Sequence, residues 1–107
     1  MSTCFGQTVD KYIQVDIWPK FKKGYNINVN FGEDSTLFTL RDKTVKDKIL
    51  RVKRYSNSVD ALNYLGSLGW TLIISTTTQL GGNTDAYLFY FKKTFEQSEL
   101  LTDITDN

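Results

Sequence analysis

The sequence predicts an α+β fold: an antiparallel sheet of about five or six strands with one main helix, about residues 58–68, packed on one face. Three observations carry that prediction. Two upstream stretches alternate apolar and polar residues, Ile13/Val15/Ile17 and Ile27/Val29/Phe31, which is the period of a half-buried strand. Val59, Leu62, Leu65 and Leu68, with Ala61 beside them, recur at helical spacing. Gly81-Gly82-Asn83 separates two strand-like runs and tolerates the positive φ of a tight hairpin turn.

In chain order, residues 1–10 are small and polar apart from Phe5 and Val9 and read as a lead-in. Tyr12 to Trp18 is the first strand, stopped by Pro19, with Lys20 to Gly24 as the turn. The second strand points Asn26, Asn28 and Asn30 outward, and Gly32-Glu33-Asp34-Ser35 is the next turn. Thr36 to Leu40 suggests a third strand. Arg41 to Lys48 then forms the tip of a long hairpin returning through Ile49 to Arg54, with Leu50 and Val52 on one face; alternatively Thr44 to Lys53 is a short helix. Asn57 or Ser58 can cap the main helix, Asp60 places negative charge near its positive end, and Gly69 is placed to end it in a left-handed turn. Trp70 to Thr78 and Tyr87 to Lys93 are the closing strands, the first rich in β-branched residues. Residues 1–95 are expected to form one domain, and 96–107 an acidic, flexible tail anchored only by Leu100, Leu101 and Ile104.

The run Asn57-Ser58-Val59-Asp60-Ala61-Leu62-Asn63-Tyr64-Leu65-Gly66-Ser67-Leu68-Gly69-Trp70, followed by Tyr87-Leu88-Phe89 and the pair Lys92-Lys93, resembles a family of small bacterial proteins. That family is frequent in gut Bacteroides-type genomes and is described only as domains of unknown function. Its members have a sheet, an Ala-Leu-Asn-Tyr helix, Gly-Trp and a C-terminal hairpin. The resemblance covers the second half of the chain and implies a fold but no activity. Thr71 stands where the family is expected to carry an acidic residue.

Composition narrows the function classes. The chain has 107 residues, 40% hydrophobic and 23% charged, with a net charge of +1, the profile of a single globular domain with no overall pull toward anionic partners. No apolar run approaches the roughly 20 residues that span a bilayer, so no membrane partner is expected. One cysteine, Cys4, and no visible export signal give a cytoplasmic expectation. There is no histidine, which removes the commonest general base and the nucleophile systems that depend on it. Zinc sites of the usual kind are removed with it. No catalytic, metal or cofactor residue is therefore assigned. The adjacent carboxylates Glu33-Asp34 read as a solvated turn, Gly81-Gly82 lacks the Lys-Ser/Thr sequel of a phosphate loop, and Cys4 has no helix start beside it to activate a thiol.

Two signals remain. Fifteen residues are Phe, Trp or Tyr, and Tyr87, Phe89 and Phe91 share one face of a strand while Leu88 and Tyr90 share the other. One helix covers one side of a sheet, so an aromatic row is left for a partner; alternatively this strand is central and buried on both sides. The second signal is basic: Arg41, Lys43, Lys46, Lys48, Arg51, Lys53 and Arg54 fall in one segment against Asp42 and Asp47, with Tyr55 close by to stack on a base. A solvated segment whose lysines protect a sheet edge explains the same charges. The leading expectation is a non-enzymatic domain that meets an unidentified protein, or itself, through an uncovered sheet face or edge strand, with Tyr87, Phe89 and Phe91 as candidate contacts. The alternative is an accessory nucleic-acid binder using the basic segment.

Overall fold

A computed structural model describes residues 7–20 and 23–100. Four strands form one antiparallel sheet: β1 (Thr8–Pro19), β2 (Tyr25–Asn30), β3 (Thr71–Leu80) and β4 (Asn83–Glu96), in the order β2-β1-β4-β3. Two helices, α1 (Thr44–Leu50) and α2 (Ser58–Ser67), lie between β2 and β3 in the chain. The fold class is therefore α+β as expected, but the described residues hold four strands instead of five or six, and a second helix.

The missing strands come from the middle of the chain. Ser35–Phe38 is a 3-10 helix, and only Leu40 bridges to another segment, pairing with Leu100. From Thr44 onward the helical alternative holds: α1 runs directly into a 3-10 helix, Arg51–Arg54. Ile49 and Val52 are buried there and Val45 packs against the core, while Leu50 is exposed. That 45/49/52 spacing is a helical stripe, and it overrides the short alternation of Leu50 and Val52.

Helix α2 begins and ends on local chemistry. The Asn57 side chain accepts hydrogen bonds from the backbone N–H groups of Val59 at 2.8 Å and Asp60 at 3.1 Å, satisfying two of the donors that a helix start leaves unpaired. At the other end Gly69 takes φ +94°. The Gly69 N–H donates to the Gly66 carbonyl and the Trp70 N–H to the Leu65 carbonyl, the paired bonds of a Schellman turn. Ala61 and Leu65 are fully buried, but Val59 is 61% exposed, contrary to its place in the expected apolar stripe. Two residues turn a helix by about 200°, so Val59 lies on the far side from Ala61.

Both helices cover the same face of the sheet. The odd-numbered side chains Ile13, Val15 and Ile17 of β1, Ile27 and Val29 of β2, and Phe91 and Phe95 of β4 are buried in one core with Ile49, Val52, Ala61, Leu65 and Trp70. No even-numbered residue of β1 or β4 is buried among the described residues. Packing continues past residue 95. Glu96 ends β4, Gln97–Glu99 form a 3-10 turn, and Leu100 is buried against the core opposite Leu40. Cys4 and the remainder of the expected tail lie outside the described residues.

Candidate interaction surface

The register decides which aromatic row faces where. Ile13, Val15 and Ile17 lie opposite Phe91, Phe89 and Tyr87, so these three aromatics belong to the helix-covered side. Phe91 is 2% exposed, and Phe89 is half-buried and packs against the core. Only Tyr87 keeps a large accessible surface, at 44%, stacked against Phe89 with ring centroids 6.5 Å apart. The uncovered row is the other one, with Leu88 and Tyr90. Reading from the β3 edge across the bare face, Ile74, Tyr90, Gln14 and Asn30 lie side by side, as do Thr76, Leu88, Asp16 and Asn28. Tyr12 and Trp18 add exposed rings from β1. This face grades from Ile74, Tyr90 and Leu88 near the β3 edge to asparagine at β2.

Strand β3 is the most unusual element. Among the described residues it is an edge strand bonded to β4 alone, and every residue from Thr71 to Gln79 is exposed. Leu72, Ile73 and Ile74 are three adjacent exposed apolar side chains. The ten residues contain no charge and no proline, the devices that usually stop an edge from pairing with another strand. Irregularities occur only between Leu72 and Ile74 and between Thr78 and Gln79. Ile74 to Thr78 is therefore an uninterrupted five-residue edge of β-branched residues and serine. The opposite edge, β2, has six residues, buries Ile27 and Val29 under the helical layer, and exposes Asn28 and Asn30.

The hairpin also outruns its support. Pairing between β1 and β4 ends at Ile17 with Tyr87, so among the described residues β4 is held by β3 alone from Ala86 to the turn. The turn itself uses Gly81 and Gly82 at φ +62° and +86°, the two positive values that make a tight hairpin turn match strand twist.

Comparison with protein-family models, with curated proteins and with solved structures found no match.

The seven basic residues from Arg41 to Arg54 are all exposed, but they do not form one row. On α1, Val45 and Ile49 face inward, with Lys46 and Lys48 on either side of that stripe. Lys46 lies over the Phe31 ring at 4.8 Å, the Arg41 Nε donates to the Ser98 carbonyl at 2.9 Å, and Tyr55 packs on Tyr64 at 5.3 Å. Several groups that a nucleic acid would use are thus already engaged within the domain.

Three shallow clefts meet around Asp42, the largest about 280 Å³ between Phe38, Leu40, Lys43 and Lys46. The Asp42 carboxylate accepts from both the side chain and the backbone N–H of Thr44, and the hydroxyl bond first, then the amide bond, hold its carboxyl below the usual range. A carboxyl held ionised cannot act as a general acid near neutral pH. The adjacent carboxylates Glu33 and Asp34 line none of these clefts. No group of three or more metal-ligating side chains occurs among the described residues, and no helix among them is long and apolar enough to cross a membrane.

Proposed function

We propose that this chain is a non-enzymatic protein-interaction module whose contact surface is the outer edge of β3 and the bare sheet face beside it. One observation carries the proposal: a ten-residue edge strand, uncharged and proline-free, exposed from Thr71 through Gln79. Such an edge offers a row of backbone donors and acceptors that an added strand can satisfy, with alternate side chains giving specificity. The apolar strip of Ile74, Tyr90 and Leu88 next to it supplies area for a partner that extends onto the sheet. Of the aromatics expected to make contact, Tyr87 remains accessible, whereas Phe89 and Phe91 support the strand from the core side.

The test is capture of a binding protein from native lysate at low and high salt, with the wild-type chain compared against Ser75→Lys/Thr77→Lys. A stoichiometric protein retained at high salt by the wild type and lost by the double variant supports the reading. Equal retention by both chains, or no retained protein, counts against it. The basic segment supports a second reading, an accessory nucleic-acid contact. It predicts nucleic acid that dissociates steeply with salt and is lost when Lys46, Lys48 and Arg51 become glutamate. The scattered placement of those residues gives it less support.

A further inference from the structure

Resting on that reading of β3 as a pairing edge, we propose that the strand it accepts is β3 of a second copy, antiparallel, with Thr76 on the two-fold axis. A symmetric antiparallel pairing of edge strands needs an axis perpendicular to the sheet, so the residues placed opposite each other must point to the same face. Between Ile74 and Thr78 the faces alternate without interruption: Ile74, Thr76 and Thr78 lie on the bare side, and Ser75 and Thr77 on the helix side. Same-face pairing therefore requires an axis through a residue, and the midpoint of the regular segment is Thr76. This register opposes Ile74 to Thr78, Ser75 to Thr77, and Thr76 to its own copy. Cross-strand Thr–Thr and Ser–Thr pairs are favourable in antiparallel ladders.

Charge argues for a second copy over a foreign strand. Self-pairing brings together two identical sequences, so any charge on an edge can meet its like across the axis, and β3 has none from Thr71 to Leu80. Length agrees as well, since about Thr76 the regular segment from Ile74 to Thr78 overlaps its copy completely. The outcome is a continuous eight-stranded sheet, β2-β1-β4-β3-β3-β4-β1-β2, with both bare faces on one side. It also gives the hairpin from Thr78 to Ala86, which β1 does not reach, a third strand of support. Two-stranded ribbons are marginal in water and gain from such a neighbour.

The test uses cysteine placement and charge reversal in full-length protein carrying Cys4→Ser. Paired residues on the axis have Cα atoms about 4.5–5.5 Å apart, within disulfide reach. Thr78 and its copy are offset by four residues along the strands, roughly 13 Å. Mild oxidation is expected to cross-link Thr76→Cys and leave Thr78→Cys monomeric on a non-reducing gel. In sedimentation, Thr76→Lys is expected to weaken the dimer about tenfold or more through facing lysines, and mixing it with Thr76→Glu to restore a heterodimer. The Thr76 side chain is exposed, and unchanged circular dichroism checks that each variant folds. A wild-type chain that sediments as a monomer at every concentration, or efficient cross-linking at Thr78→Cys instead of Thr76→Cys, overturns the proposal. A monomeric chain that captures a foreign protein, lost with Ser75→Lys/Thr77→Lys, overturns self-pairing alone; a monomeric chain that captures none sinks the edge reading as well.

Discussion

Ile74 of β3 lies directly opposite Tyr90 of β4 on the face of the sheet that the helices leave bare. That pairing links the exposed edge to the exposed face, because Ile74 is 58% accessible while Tyr90 is half-buried by its neighbours in the sheet. A partner strand beyond Ile74 would cover it without moving the core. Ile74→Asp is therefore expected to leave folding stability within about 0.5 kcal/mol, the range for surface changes, while abolishing association. Denaturation midpoints and sedimentation measured on the same samples check both halves.

The two tryptophans report on opposite layers. Trp18 is partly exposed on the bare-face side of β1, whereas Trp70 is 3% exposed in the core, stacked on Phe38 and edge-on to Phe95. The Trp70 indole N–H has no acceptor among the described residues. Acrylamide is expected to quench one emission component in wild type and none in Trp18→Phe. Strong quenching in Trp18→Phe would mean the helical layer does not seal the core.

The ends of α2 set part of the stability. Asn57→Ala should cost about 1 kcal/mol by removing a helix cap. Gly69→Ala should cost about 1–2 kcal/mol, because φ +94° is a left-handed conformation and a Cβ there approaches Lys93 Cε to 3.2 Å. Lys93 matters at the same point, since its Nζ donates to the Leu68 carbonyl at 2.8 Å and places a cation at the negative end of the helix. Lys93→Met should lose about 1 kcal/mol. Urea denaturation of the three variants measures each.

Packing separates neighbouring apolar residues of the same helix. Leu65→Ala should cost about 2–5 kcal/mol, as a fully buried leucine leaves a cavity. Val59→Ala, at an exposed position, should cost no more than about 0.5 kcal/mol. Equal losses at the two positions would contradict the orientation of α2.

Asp42 gives a pH dependence with a defined sign. Its folded-state pKa is lowered by the hydrogen bonds from Thr44, with a smaller attraction from Lys48. The stabilisation at the start of α1 is therefore fully present above the ordinary carboxyl value of 3.8. It is lost as pH falls through the lower folded value. The Thr44 amide resonance should titrate with a midpoint below the ordinary carboxyl range, and Asp42→Asn should remove that titration.

What was legible in the sequence was local. Asn57, Gly69, Gly81 and Gly82 occupy positions that demand their chemistry, so the span of α2 and the β3–β4 hairpin follow from neighbours in the chain. The alternation at Ile13 to Ile17 and Ile27 to Val29 likewise marks the buried side of β1 and β2. The segment from Thr36 to Arg54 was ambiguous because Leu37, Phe38 and Leu40, or Leu50 and Val52, fit a strand over so few residues. Burial of Phe38 with Leu37 exposed, and of Ile49 with Leu50 exposed, is settled by tertiary packing. Which row of β4 faces the helices was not legible at all. It depends on β1 pairing with β4 across most of the chain, a non-local choice that put Phe91 inside and Tyr90 on the bare side. The edge position of β3 follows from that same pairing.

Amide hydrogen exchange along β3, followed as protein concentration rises, tests the central claim most directly. In an unpaired edge, alternate amides between Ile74 and Thr78 bond to β4 and the others point to water, so protection alternates. The account predicts that this alternation gives way to continuous protection as copies associate, and that Thr76→Lys restores it. Alternating protection that persists at the highest concentration and in native lysate would contradict β3 as a pairing surface.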